Sequence, residues 1–184
     1  MGTNVPLEYF YKVLAPRPVA IITTIDKEGK VNAAPFSFIM PLSMEPAMLC
    51  FATDPEHDTY ANIKEVPEFV ANLPKEEIAK KLWITGKEFP KGVNELEKAE
   101  LTQISSKMVR PPSIKECFAR IECKVEDTRE YGDHALVVGK VVNVDVDSNC
   151  YNLDKNLLNV DAAKPLLHLG GSKFALPLKV IDVR

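Results

Sequence analysis

The chain reads as mainly β, an antiparallel β-barrel with peripheral helices. Three observations predict this. Short β-branched and apolar runs recur along the sequence, bounded by turns rich in Gly, Pro and Asp. Residues 117–126 alternate apolar and polar side chains, the pattern of a half-buried antiparallel strand. Helical patterns do not alternate with the strands, so the crossovers of a doubly wound parallel sheet are missing.

The run Val19–Ile25 is β-branched, Asp26-Lys27-Glu28-Gly29-Lys30 breaks it, and Val31 resumes it, which predicts a hairpin. Met48–Thr53 and Glu68–Leu73 are the next two strands. Between them Asp58 or Thr59 is placed to cap a short helix through Tyr60–Lys64, which Pro67 closes. Ile78, Ala79, Leu82 and Trp83 recur at helical spacing behind an acidic turn, predicting a helix over Lys75–Trp83. Residues 86–112 hold Pro90, Gly92, Pro111 and Pro112, with one helical candidate at Asn94–Ala99. They read as an excursion over the barrel surface, of a length that usually serves a function or a partner.

Strand Cys117–Glu126 points Cys117, Ala119, Ile121, Cys123 and Val125 inward, with Arg120, Glu122, Lys124 and Glu126 outward. His134–Val146 is longer and more apolar, and Gly139 in its middle predicts a bend or a close approach by another group. Tail strands are expected around Ser172–Ala175 and Lys179–Val183.

With 184 residues the chain is expected to be a single domain, 1–184, large enough to bury a core. A net charge of −3 argues against nucleic acid, whose phosphates demand an excess of Lys and Arg. No apolar run approaches a membrane span, and the first residues lack a signal-peptide layout, so a cytoplasmic location is expected. The four cysteines, Cys50, Cys117, Cys123 and Cys150, form no Cys-x-x-Cys pair and read as buried free thiols.

The chemistry concentrates between residues 31 and 62. Asn32-Ala33-Ala34-Pro35-Phe36-Ser37 places small residues near a strand end, where a flat ring can approach the main chain. Taken alone, the same residues describe an edge strand with a proline bulge. His57-Asp58-Thr59 follows, a helix start whose free N–H groups suit a phosphate, or else a plain N-cap. Asp58 is expected to face the backbone or hold His57, leaving Thr59 nearer the anion. Arg17 is the best cationic partner, unless it is a surface charge pinned by Pro16 and Pro18. His134, after Gly132-Asp133, either meets a ligand at a strand mouth or caps the hairpin. His168, before Gly170-Gly171, is placed to pack against a ligand or a second subunit. These histidines show no His-x-x-x-His pairing, and no metal site is expected. Neither a Gly-x-Ser-x-Gly elbow nor a Gly-x-Gly-x-x-Gly turn exists, which argues against a serine hydrolase and a Rossmann dinucleotide site.

In order and spacing, Arg17-Pro18, the 32–37 segment, Ser43, Pro46, His57-Asp58-Thr59 with Asn62-Ile63, and Gly132-Asp133-His134 with Gly139 resemble the flavin reductase-like family of FMN-binding split barrels. Ser105-Ser106, Arg110-Pro111-Pro112 and His168-Leu169-Gly170-Gly171 are similar to its flavoredoxin-like branch. The resemblance implies an antiparallel Greek-key split barrel and a homodimer holding FMN near the subunit interface. It implies that Asn32 and Ala34, Pro35, Phe36 and Ser37 meet the ring and ribityl chain, with Phe51, Ala52 and Thr53 beneath. His57, Asp58, Thr59 and Asn62 would lie by the phosphate, and Asn72 would line the same groove. His134 matches the family's position near the nicotinamide and is the implied catalytic residue. The implied activity is hydride transfer from NADH or NADPH to FMN, with small-molecule partners only. The competing reading is an FMN electron carrier reduced by a redox-protein partner.

Overall fold

A computed structural model describes residues 2–183 and contains one seven-stranded antiparallel sheet that curls into a barrel. Its strands are β1 (Ala20–Ile25), β2 (Val31–Phe36), β3 (Ile39–Met44), β4 (Ala47–Thr53), β5 (Glu68–Leu73), β6 (Ala119–Tyr131) and β7 (His134–Val146). Across the sheet they run β2-β1-β5-β6-β7-β4-β3. The two edge strands are consecutive in the chain, joined only by Ser37 and Phe38. The barrel therefore closes where β2 becomes β3. Ala52 N–H donates to Phe38 O at 2.9 Å, extending the β3–β4 ladder onto the crossing, and the Phe36 and Phe51 rings meet at 5.0 Å behind it.

Every residue of β1 is buried, because both of its faces are covered. Ala20 and Ile22 point into the barrel with Phe36, Leu49, Phe51, Phe69 and Val137. Val19 and Ile21 point outward into a second core formed with Ile78, Leu82, Leu96, Ile114 and Cys117. The 75–117 segment thus covers one face of the sheet. Within it, a 3-10 turn at Glu76–Ile78 leads into a helix at Ala79–Thr85, where the sequence predicts one helix over 75–83. The short helix Glu95–Lys98 is capped by Asn94, whose Oδ1 accepts the Leu96 N–H at 3.0 Å.

Strand β6 starts at Ala119, and its expected solvent face is not exposed where the 100–117 segment crosses it. Arg120 and Glu122 are buried. Nε of Arg120 donates to Ile114 O at 3.0 Å, and its Nη2 donates to the carbonyls of Lys115 and Cys117. The Glu122 carboxylate accepts the N–H groups of Lys107 and Met108 at 2.9 and 2.6 Å. Alternation located the strand correctly but not what covers it. A buried charge needs such partners, and backbone groups of an irregular segment need them equally.

Strand β3 is absent from the sequence reading because Pro41 interrupts it. On an edge strand, beside a register shift between Pro41 and Ser43, that proline removes no ladder bond the sheet requires. At the C-terminus, Leu167–Gly170 pairs with Arg17–Pro18 on one side and Lys173–Ala175 on the other. Residues 179–183 form no strand, in contrast to the expectation, and lie exposed after Pro177. All four cysteines are free and buried. Burial pushes the Cys123 thiol up to about 12 and raises Cys117 as well, so neither is a thiolate near neutrality.

Gly139 is the close approach that its position predicts. A Cβ there would lie 2.5 Å from Phe69 Cε1 and 2.9 Å from Cys123 Cβ. Phe69 is itself fixed edge-on to Phe51 at 5.1 Å. Gly139→Ala should therefore destabilise the fold by about 1–3 kcal/mol through overpacking. Urea unfolding reads this as a lower midpoint at unchanged slope; an unshifted midpoint would mean that the Phe69 ring yields freely.

Candidate functional site

The helix Asp58–Glu65 follows β4, and its N-cap is His57 rather than Asp58 or Thr59. His57 has extended backbone and makes no side-chain cap bond, so the helix begins with its first amide hydrogens uncapped by a side chain. Asp58 and Thr59 occupy the first turn. Thr59 is buried, and its Oγ1 accepts from Asn32 Nδ2 at 2.9 Å. Asn62 Nδ2 donates to Thr24 Oγ1 at 3.1 Å, and Asn32 Nδ2 lies 3.4 Å from the same hydroxyl. These four polar side chains lock the helix start onto strands β1 and β2.

A cleft of about 480 Å³ opens beside that helix start. One wall is strand β2, with Asn32, Ala34, Pro35 and Phe36; its floor is His57, Asp58 and Thr59. The opposite wall is the excursion from Thr85 to Lys91. Gly86 makes the approach of that wall possible, since a Cβ on it would lie 2.9 Å from Pro35 Cγ. Lys87 and Lys91 line the cleft, and among the described residues neither forms an ion pair. A recess of about 180 Å³ continues past Asn62 between Asp58 and Lys91.

Pro35 and Phe36 also form the rim of a second crevice, about 200 Å³, with Ser37, Phe38, Ala52, Thr53 and His134. His134 Nδ1 lies 2.8 Å from Asp133 Oδ1, a bond that also holds the exposed Asp133 carboxyl below its ordinary value. The His134 ring lies 5.7 Å from that of Phe38. Pro35 and Ser37 reach a third, smaller recess with Trp83, His168 and Phe174. The three openings meet along Pro35–Ser37, the segment that closes the barrel.

Most residues singled out from the sequence converge on these openings, but three do not. Asn72 is fully buried and spent on structure: its Nδ2 donates to Ile21 O at 3.1 Å, and its Oδ1 accepts the Ile114 N–H at 2.8 Å. Phe51 is fully buried between Phe36 and Phe69, so it supports the site without facing it. Arg17 lies away from the helix start. Its guanidinium donates to Tyr11 O and sits over the Phe38 ring at 5.4 Å, while its buried Nε has no partner. The cations at the helix start are instead Lys87 and Lys91. No local pattern marked those lysines, because the excursion's path across the sheet brings them there. Among the described residues, no group of three or more metal-ligating side chains converges.

Glu95, also unmarked in the sequence, accepts the Ala33 N–H at 2.8 Å and holds the excursion against β2. Burial pushes its carboxyl up from 4.5, and Asp58 adds to this, against the lowering effect of the Ala33 bond. An acid raised in the fold keeps its proton where the unfolded chain has lost it, so stability falls as pH rises from 4.5 through the folded value. Glu95→Gln retains an acceptor for Ala33 without the charge. Its denaturation midpoint should be flatter than the wild type's from mildly acidic to neutral pH. A parallel decline in both proteins would remove Glu95 as the cause.

Comparison with known proteins gives concordant results. The flavin reductase like domain matches residues 13–176. An uncharacterised protein of Methanothermobacter thermautotrophicus is 38% identical over 158 residues, spanning 84% of this chain and 74% of its own. One from Aquifex aeolicus is 37% identical over 168 residues, 88% of this chain and 85% of its own. Nitrilotriacetate monooxygenase component B from Bacillus cereus superposes with a TM-score of 0.88 at 28% identity, covering 100% and 98% of the two chains. Flavoredoxin of Desulfovibrio vulgaris superposes at 0.83 with 18% identity, over 91% and 90%, a likeness of fold.

Proposed function

Because the chain belongs to the flavin reductase-like domain family, we propose that it is an FMN-binding flavoprotein oxidoreductase, a flavin reductase using NADH or NADPH. One observation carries the reading: an uncapped helix start flanked by unpaired lysines opens into the same furrow as a Pro35–Ser37 ledge with His134 beyond it. A cleft of about 480 Å³ falls within the ~300–1,000 Å³ usual for cofactor-sized ligands. The donor set suits a phosphorylated heterocycle, with amide hydrogens and ammonium groups at one end and small residues along the ledge.

When bound, the flavin supplies the hydride-accepting ring that this chain's own side chains lack. The first turn of the helix, with Lys87 and Lys91, would hold the phosphate, the two cations working against Asp58 and the other carboxylates that line the cleft, Glu56, Glu88 and Glu95. Ala34 and Pro35 give a ring access to the main chain of an edge strand. The excursion wall excludes water from one side of it. Asp133 orients the His134 imidazole through Nδ1, so that Nε2 is the nitrogen available to an incoming nicotinamide.

The test is spectroscopic. Protein incubated with FMN and desalted should be yellow, and anaerobic NADH or NADPH should bleach it within turnover time. A yellow protein that ignores both nucleotides is the electron carrier instead. A protein that takes up no FMN overturns both readings. The phosphate assignment has its own check: Lys87→Ala and Lys91→Ala together should weaken FMN by up to about 1 kcal/mol per lysine, less at high salt. Riboflavin, which lacks the phosphate, should bind both proteins alike. Equal losses for FMN and riboflavin would clear the lysines of that role.

A further inference from the structure

His168 has both ring nitrogens engaged. Nδ1 lies 2.8 Å from Ser37 Oγ, and Nε2 lies 3.1 Å from the carbonyl oxygen of Gly171. A carbonyl oxygen only accepts, so Nε2 carries the ring hydrogen. In the neutral imidazole Nδ1 is then a bare acceptor, and the Ser37 hydroxyl must donate to it. The ring is fixed from two further sides. Phe174 lies 5.2 Å away at a shallow tilt of 34°, and the histidine's strand is paired on both edges, opposite Arg17 and Phe174. His168 is therefore set by its pairing with Arg17–Pro18 and Lys173–Ala175, independently of the β2–β3 link it reaches across to.

A serine hydroxyl has one hydrogen and two lone pairs. Ser37 spends that hydrogen on His168, and what it offers the crevice shared with Pro35, Phe38, Ala52 and His134 is acceptor capacity alone. We propose that His168 is a positioning residue that fixes Ser37 as an acceptor-only group, so that this crevice selects a ligand edge presenting an N–H or O–H donor. The proposal rests on the flavin reading and deepens it, since ring N–H and ribityl hydroxyl groups are donors of that kind. It also reassigns His168. With both nitrogens occupied, the imidazole makes no ligand hydrogen bond of its own and acts through Ser37.

Two measurements test this separately from turnover. ¹⁵N-histidine NMR of the ligand-free protein should show His168 protonated at Nε2 only, with the Nδ1 resonance moving in Ser37→Ala as its donor is lost. Fluorescence titration with FMN should then show Ser37→Ala and His168→Ala each weakening affinity by about tenfold, and the double variant by no more than either single one. His168→Asn, which keeps an acceptor near the Nδ1 position, should recover most of the loss. A protonated Nδ1, additive losses, or His168→Ala binding FMN like the wild type would each overturn the proposal. If the wild type binds no FMN, the flavin reading fails and takes the ligand assignment with it, while the NMR shift still decides the His168–Ser37 pairing.

Discussion

The structure depends on how one barrel closes. Its two edge strands are neighbours in sequence, so the chain must leave one edge at Phe36 and become the other at Ile39 within two residues. Phe36 turns inward and seals against Phe51, burying both rings, a contribution of roughly 1.5–3 kcal/mol for each side chain. The Ala52–Phe38 hydrogen bond holds the crossing in place. Because Phe36 faces the core, Pro35 and Ser37 on either side of it face outward; all three openings meet on Pro35, and Ser37 lines the two smaller ones. The seam that completes the fold is also the ledge of the site.

A second constraint turns an irregular segment into a wall. Residues 85–117 have little regular structure, yet polar side chains of the sheet repeatedly bind their backbone. Asn72 takes the Ile114 N–H, Glu122 takes those of Lys107 and Met108, and Glu68 takes that of Arg110. Burial pushes the Glu68 carboxyl up, but the backbone and guanidinium bonds from Arg110 outweigh it, and the group sits below its ordinary value. Glu95 works in the reverse direction, reaching from the segment to a strand amide. Removing the Asn72 amide would leave the buried Ile114 N–H unsatisfied, at a cost of about 1–3 kcal/mol. The excursion is thereby held across the sheet, and it presents Lys87 and Lys91 to a helix start distant in sequence.

The sequence made the barrel legible because strand signals are local. Alternation at 117–126 and the β-branched 19–25 run each mark a strand by themselves, and Gly139 marks a close approach, although alternation did not reveal the segment that covers Arg120 and Glu122. The ledge residues were legible for a similar reason, since small residues and a proline near a strand end carry a steric meaning by themselves. Asn72 misled because a buried amide used as a backbone clamp looks, in sequence, like a ligand-binding one. Arg17 misled because charge alone does not tell which end of a groove it occupies. Thr24, Lys87, Lys91 and Glu95 carry no local signature. Their roles arise only when β1, the excursion and the helix start are brought together, information that resides in long-range packing.

The central claim is that the barrel seam, the helix start and the excursion wall form one binding surface. A crystal structure of the protein grown with FMN tests it most directly. The account predicts a phosphate within hydrogen-bond distance of the Asp58 and Thr59 amides, and a ring lying along Pro35–Ser37. A flavin seated elsewhere, with that furrow holding only solvent, would contradict it.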